Sequence, residues 1–379
     1  MQHRILYYSL TDWADIKQRS QHLAELLAER HEIVFLHPRS VGQAFWLARW
    51  SSTVDLRRVV RHGSGLTILS PWVLPLSRFA PIRLANRRLF RLQVAAFLAR
   101  ENFCPDIIWM TFPDQIDDLP DNCTARIVYD CMDDFPLFYA EPRRSTLRAR
   151  EAVTIARADV VLASSEALFR KCQALNQSVH LVRNGVRAAD FACTGDIPTP
   201  PELKSIRHPI LGYYGSVARW LDWRLLLEVA AQEGSWSFVF IGPGEAPSPH
   251  PSNMHFLGPK PYAALPQYLS AFDVAILPFE VNDITVSVDP LKVYEYMAAG
   301  KPVVASRLPA LRAHAGCLEF YDDRASFRSA VGRCLVDYPA SQRQKMRQIA
   351  LQNDWSVRAA HVESVLDRLD ETLIPPKFL

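Results

Sequence analysis

The chain has 379 residues, 49% of them hydrophobic, with a net charge of +3; that length suits two domains, and that apolar content excludes global disorder. Seven cysteines without a Cys-x-x-Cys pair exclude a disulfide or zinc framework and fit a reducing compartment. No apolar run is long enough to span a bilayer and the first residues lack a signal-peptide pattern, so a cytoplasmic protein is expected.

Short apolar runs alternate with helical patterns, the signature of parallel sheet units. "HRILYYS" predicts a first strand, "IKQRSQHLAELLAER" an amphipathic helix and "EIVFLHP" a second strand. The segment joining the first strand to the helix, "YSLTDWADIKQRSQH", lacks the glycine-rich phosphate loop of NAD-dependent enzymes. It carries Asp12, Trp13, Gln18 and Arg19. Arg19 suits either an acceptor phosphate or a surface helix position.

Residues 43–100 carry ten arginines (49, 57, 58, 61, 78, 83, 87, 88, 91 and 100) against one acid, Asp55. Phe45, Trp46, Trp50, Trp72 and Phe79 interleave them. The helical spacing in "IRLANRRLFRLQVAAFLAR" suits an anionic membrane surface, or a basic solvated face above a buried apolar one. No nucleic-acid module accompanies it, so no nucleic-acid partner is expected.

"DIIWMTF", "ARIVYD", "DVVLAS" and "VHLVRN" predict further strands. In "IVYDCMDDFPLF", Asp130, Asp133 and Asp134 fall just past a strand's carboxyl end. A carboxylate there can act as general base, and the same residues also suit loop and cap positions. Ser164 and Ser165 read as helix-capping residues. After Asn184-Gly185, the proline-rich "DIPTPPELKSIRHP" reads as a linker.

A second series follows, with strands at "ILGYYGS", "SFVFIG", "NMHFLG", "DVAILPF", "PVVAS" and "CLEFY". The expected architecture is α/β, with two doubly wound Rossmann-like domains, residues 1–193 and 205–355. Ligands belong in a cleft at the carboxyl ends of the strands. A C-terminal helix and tail, 356–379, is expected to return to the first domain.

"SVDPLKVYEYMAAGKPVVAS" carries the sharpest chemical signal. Asp289-Pro290 predicts a helix with Asp289 as N-cap and Pro290 at its first position. Gly300 and Pro302 end it. Lys292 then sits in the first turn beside free N–H groups and the positive dipole end, unfavourable unless an anion is present. Glu295 lies one turn on. By spacing alone the two also suit a solvated helix pair. Gly215 and Ser216 end a strand where backbone can approach a phosphate. Gly242 and Gly244 read as a tight loop, and Tyr262 as a residue near a bound base or, with Lys260, as loop surface. No cluster has metal-ligand spacing.

These segments resemble the GT-B glycosyltransferases, two-Rossmann-domain enzymes that use nucleotide sugars. "DPLKVYEYMAAGKPVVAS" looks like their donor-site segment, "ADVVLASSEALFRKC" like the end of their acceptor domain and "VRNGVRAADF" like the crossover. "ILGYYGSVARWLDWRLLLEVA", "FVFIGPG" and "MHFLGPKPYAALPQYLSAFDVAILPF" resemble the donor domain. Within the family the likeness is to bacterial family-4-like polysaccharide enzymes of the teichuronic acid type, and more weakly to the xanthan glucuronosyltransferase type.

The resemblance implies that Lys292 contacts a donor diphosphate and Glu295 the ribose or sugar, with Leu291 and Ser287 beside them. Arg219 matches the basic position after the first donor-domain strand, and Asp133 the catalytic base. Many retaining members carry a pair of glutamates; Glu295 matches the second, but Ser287 stands at the first. The implied function is metal-independent transfer, without cofactor, of a sugar from a nucleotide diphosphate donor, UDP by resemblance. The implied acceptor is a lipid-linked glycan of bacterial surface or exopolysaccharide assembly, at the inner face of the cell membrane. Two other readings stay open: a catalytically silent GT-B-like protein that binds membrane or a partner, and a nucleotide-sugar epimerase.

Overall fold

The computed structural model describes the chain apart from residues 14–16, 41–58, 64, 77–78, 120–123, 193–196 and 372–379. It divides into two compact units, one of residues 1–182 with those from Ala359 onward, the other of Arg183–Arg358.

The first unit is built on strands β1 (Arg4–Tyr8), β2 (Glu32–Leu36), β3 (Arg39–Ser40), β4 (Val59–His62), β5 (Leu66–Leu69), β6 (Trp72–Val73), β7 (Ile107–Met110), β8 (Arg126–Cys131), β9 (Val160–Ala163) and β10 (Val179–Leu181). Eight of them form one sheet in the order β10-β9-β8-β7-β1-β2-β5-β4, and β3 pairs with β6. The pairings in the large sheet are parallel except β4 with β5. Helices α1 (Arg19–Leu27), α2 (Ala80–Arg100), α3 (Arg143–Arg157) and α4 (Glu166–Gln173) connect them. The central strands are buried on both faces, as near-continuous apolar runs require in a covered parallel sheet. Within them the Tyr7 ring stacks on Phe35 at 5.2 Å and on Trp109 at 5.1 Å.

The β4–β5 hairpin was not expected. Its sequence, "RRVVRHGSGLTILS", drew attention as charge rather than as a strand pair. Gly63 turns between the strands at φ 62°, which a side chain rarely allows.

The second unit holds β11 (Ile210–Tyr214), β12 (Ser237–Ile241), β13 (Met254–Phe256), β14 (Val274–Leu277), β15 (Val303–Ser306) and β16 (Glu319–Tyr321). Their order is β13-β12-β11-β14-β15-β16, with parallel pairing throughout. Strand order therefore reverses between β11 and β14, the switch point at which doubly wound sheets bind ligands. Helices α5 (Ala188–Phe191), α6 (Trp223–Gln232), α7 (Leu265–Ser270), α8 (Leu291–Ala298), α9 (Arg324–Val336) and α10 (Ala340–Gln352) surround it. The last helix, α11 (Trp355–Glu371), passes from this unit into the first. There Glu363 meets His31 at 3.0 Å and Arg30 at 3.1 Å.

The boundaries differ from the expected ones for a physical reason. The predicted first domain ran to residue 193, yet the chain from Arg183 bonds into the second unit. Asn184 N–H donates to Asp289 at 2.7 Å, Val186 N–H to Asn353 at 3.1 Å, and Ala188 N–H to Asp354 at 2.9 Å. The proline-rich stretch is likewise no free linker. Leu203 and Ile206 lie in the second core, and Glu202 accepts from Lys260 and Tyr268 at 2.6 Å each.

Candidate functional site

Helix α8 starts one residue later than predicted. Its N-cap is Pro290, and Asp289 does not cap it. The Asp289 carboxylate is occupied instead by Asn184 N–H at 2.7 Å and by the Tyr294 hydroxyl at 3.0 Å. Asn184 also donates its side-chain amide to the Asp289 carbonyl at 2.6 Å, and Arg358 donates to the Asn184 carbonyl at 3.2 Å. Asp289 thus anchors the helix entry from outside, because a buried carboxylate takes several donors when they are in reach. The C-terminus follows expectation. Gly300 at φ 66° donates to Met297 at 2.9 Å, and Lys301 N–H donates to Tyr296 at 3.0 Å, the paired bonds of a Schellman motif.

Lys292 occupies the second position of α8, and its ammonium reaches the switch point. It lies 5.3 Å from the Tyr213 ring centroid on β11 and 5.4 Å from that of Phe279, two residues past β14. Among the described residues it makes no hydrogen bond or ion pair. Burial pushes it down to about 8, with Glu295 pulling the other way. The cation is therefore poised for an external anion, beside the positive end of α8.

The backbone leaves it room. Gly215 has φ 135°, and a Cβ there would lie 2.6 Å from Lys292 Cε. Gly242, at φ 147°, packs directly on Gly215; a Cβ would fall 2.0 Å from the Gly215 carbonyl. Gly215 N–H donates to Ile241 at 2.8 Å, and Tyr213 O–H to the Ser216 carbonyl at 3.2 Å, fixing the loop after β11. Gly242 and Gly244 thus form the tight loop expected of them, lying against β11's exit.

Glu295 lies one turn beyond Lys292 and is buried. The Tyr262 hydroxyl donates to it at 3.0 Å, and the Tyr262 ring packs edge-on against Phe191 at 5.6 Å. Burial pushes Glu295 up to about 7, with tyrosine hydroxyls and Lys292 opposing. Leu291 sits at the first position of α8 beside Lys292. Ser287 ends a short 3-10 turn, and its hydroxyl donates to the Ile284 carbonyl at 3.0 Å. Arg219 is exposed on the loop after β11. Lys260, in the loop before Tyr262, pairs with Glu202 at 2.6 Å.

In the first unit, Asp133 follows β8 by two residues. Burial and the neighbouring Asp134 push it up to about 7, against the pull of Arg19. Among the described residues no hydrogen bond or ion pair reaches its carboxylate. Its neighbours are committed. Asp134 pairs with Lys171 at 2.9 Å. Asp130 is fully buried and accepts from Arg19 Nε at 2.9 and 3.0 Å. Arg19 also donates to the Val182 carbonyl at 2.8 Å.

Arg19 is therefore neither a surface residue nor open to an acceptor phosphate. A buried guanidinium needs a carboxylate, and Asp130 supplies it. Ser165 caps α4 as expected, accepting from Leu168 N–H at 3.3 Å, whereas Ser164 donates to the Met132 carbonyl at 2.6 Å.

Asp12 joins a cluster that the sequence reading missed. Arg39 donates to it at 3.1 and 3.2 Å, and His37 approaches at 3.2 Å. His37 also meets Ser70 at 2.9 Å. The signal was the basic pair of "FLHPRS" at the carboxyl end of β2. In the second unit the missed residues are Tyr213, Phe279 and Asn184. The first two are aromatics at the exits of the switch-point strands, a position that was readable. Asn184 sits far along the chain from the helix it anchors.

Among the described residues no group of three His, Cys, Asp or Glu side chains is placed to hold a metal ion, and no helix is long and apolar enough to cross a membrane. Of the arginine- and aromatic-rich region 43–100, residues 43–58, 64 and 77–78 lie outside the described residues.

Residues 208–337 match the family model "Glycosyl transferases group 1". Over 321 residues the chain is 27% identical to a Bacillus subtilis protein named for teichuronic acid biosynthesis glycosyltransferase function, TuaH, covering 78% of each chain. Sucrose-phosphate synthase from Thermosynechococcus elongatus superposes with a TM-score of 0.73 at 16% identity, over 97% of this chain and 99% of that one. HepE of Anabaena, solved in complex with UDP-glucose, superposes with a TM-score of 0.62 at 16% identity, over 97% and 100%.

Proposed function

We propose, for a chain that carries a group 1 glycosyltransferase segment on a GT-B fold, that it moves a sugar from a nucleotide diphosphate donor to a hydroxyl of a lipid-linked glycan in bacterial surface or exopolysaccharide assembly. The observation that carries the reading is the unpaired Lys292 ammonium at the β11–β14 switch point, beside the start of α8 and the bare backbone of Gly215. A diphosphate seated there gains the ammonium and helix-terminal N–H groups together. UDP is the expected nucleotide, since HepE was solved with UDP-glucose.

In the transfer, the bond between the anomeric carbon and the donor phosphate oxygen breaks, and the acceptor oxygen bonds to that carbon. The nucleoside diphosphate leaves with the electron pair. Lys292 and the helix start hold its charge, so the reaction is proposed to run without a metal or other cofactor. Glu295, fixed by Tyr262, holds the ribose or sugar. Leu291, Ser287, Gly215, Ser216 and Arg219 flank the same seat. Asp133 is the acceptor-side group. In an inverting transfer it takes the proton from the acceptor hydroxyl; in a retaining one it orients that hydroxyl, whose proton passes to the departing diphosphate oxygen. Its raised proton affinity and lack of a partner support the base role.

The test is calorimetric titration with UDP, other nucleoside diphosphates and UDP-sugars, followed by transfer assays with a lipid-linked saccharide. Binding of a nucleotide sugar that Lys292→Ala abolishes is the expected result. Full transfer activity in Lys292→Ala, or no nucleotide binding by the wild type, overturns the reading.

A further inference from the structure

Helix α2 carries five arginines and no acid over its 21 residues. One face is firmly bound to the first unit. Phe90, Val94 and Phe97 are buried, and Asn86 bonds the backbone of Leu74 at 2.7 and 2.9 Å. Arg87 pairs with Asp117 at 3.0 Å and Asp118 at 3.3 Å, and Arg91 donates to the Leu119 carbonyl at 3.0 Å.

Among the described residues the opposite face has no such cover. Leu84 is 71%, Leu92 63% and Leu89 37% exposed, and at 100° per residue the three fall within an arc of about 140°. The segment before the helix adds Leu74, Leu76 and Phe79, each about half exposed. Pro81, Ala85, Ala95, Ala96 and Ala99 are also exposed, and the exposed Arg100 pairs with Glu101 at 3.0 Å. By the same count Arg88 falls inside that arc, whereas Arg83, on the first helical turn, falls about 100° outside it. Both are exposed, and among the described residues neither side chain makes a hydrogen bond or ion pair. The helix thus spends Arg87 and Arg91 on holding itself in place and leaves Arg88 beside bare leucines. Single exposed apolar residues are ordinary, but a run of them along one helix and its approach marks an interaction surface.

We propose that this face of α2 docks on an anionic lipid bilayer, with Leu84, Leu89 and Leu92 entering the headgroup–acyl boundary and Arg88 meeting lipid phosphates. The charge selects the occupant. A second copy of the chain would bring the same unpaired Arg88 against this one, and a nucleic acid offers no partner for the leucines. An anionic bilayer satisfies both, and two signals together hold a protein at a membrane where one does not. This deepens the reading of a lipid-linked acceptor, yet rests on an observation remote from the Lys292 seat.

The test is co-sedimentation of the full chain with phosphatidylcholine vesicles, with and without phosphatidylglycerol. Wild type is expected to bind the anionic vesicles, to release with added salt and to bind neutral vesicles weakly. The variants Leu84→Glu/Leu92→Glu and Arg88→Glu are each expected to lose on the order of tenfold or more in vesicle affinity, since one basic residue near such a surface is worth about fivefold and its reversal counts twice. Exposed positions tolerate these changes, so melting temperatures should hold, as should the thermal shift produced by UDP-glucose. Wild-type failure to bind, variants that bind like wild type, or an oligomer that the same substitutions dissolve overturns the proposal. The UDP-glucose shift reports the donor reading separately, so the two can fail independently.

Discussion

The two units solve opposite electrostatic problems at the carboxyl ends of their strands. In the second, the cation is left over: Lys292 has no ion-pair partner among the described residues, and the carboxylate beside it, Glu295, takes a tyrosine hydroxyl instead. In the first, the cation is consumed. Arg19 is locked on Asp130, and the group left over is a carboxylate, Asp133. An unspent ammonium suits a leaving diphosphate. An unspent carboxylate with a raised proton affinity suits an arriving hydroxyl. Under the proposed function, the difference fits donor chemistry in one unit and acceptor chemistry in the other.

The largest effect expected from breaking this contrast is at Asp133. Asp133→Asn should lower transfer on the order of 10²–10⁴-fold, the range for removing a general base. Donor affinity, measured by titration with UDP-sugar, should be unchanged. A variant that transfers normally would return Asp133 to the role of a loop aspartate.

Lys292→Met comes next. It should reduce transfer by about 10²–10³-fold, as when one preorganised charge-stabilising donor is removed. It should also raise the melting temperature at neutral pH. The sign follows from the lowered proton affinity: the folded state disfavours the ammonium that the unfolded chain carries, and this penalty is full below about pH 8. It fades as pH rises toward the unfolded lysine value. Loss of activity with a gain in melting temperature is the signature of a charge kept for chemistry. Loss of both would mean that Lys292 holds the fold.

Gly215→Ala should act more modestly on stability, by about 1–3 kcal/mol for a side chain forced into that backbone region. Its Cβ also collides with Lys292, so nucleotide affinity should fall in the same variant. Denaturant melts and titrations together check it; unchanged affinity would show that Lys292 has another place to go.

What was legible in the sequence was mostly local. Asp289-Pro290, Lys292, Glu295 and Gly300 lie within one helix and its ends, so spacing and cap chemistry placed them to within a residue. The apolar runs located the strands of both parallel series for the same reason. Apart from the β4–β5 hairpin, the main errors involve partners distant in the chain. Asp289 looked like a cap because its acceptor capacity is taken by Asn184, more than a hundred residues earlier. Arg19 looked exposed because Asp130 closes on it from another strand. The crossover "VRNGVRAADF" looked like the end of the first domain because no local pattern shows that its backbone bonds to Asp289, Asn353 and Asp354. Helix α2 was half legible: its arginines stood out as one basic stripe, but only the fold divides them into Arg87 and Arg91, which hold the helix, and Arg83 and Arg88, which do not.

The smallest predicted effect is also the most direct probe of the unspent charge. A bound diphosphate favours the Lys292 ammonium, so the bound lysine holds its proton more tightly than the free one, which titrates near 8. Affinity for a UDP-sugar should therefore be flat below that pH and fall above it, by at most about tenfold per unit. Binding above pH 8 should take up a proton, visible as a dependence of the calorimetric heat on the buffer's ionisation enthalpy. Lys292→Arg, whose guanidinium stays charged, should bind with an affinity level across the same range. A wild-type affinity that stays level to pH 10 would mean that the ammonium is not the group meeting the anion, and the contrast between the two units would lose its positive half.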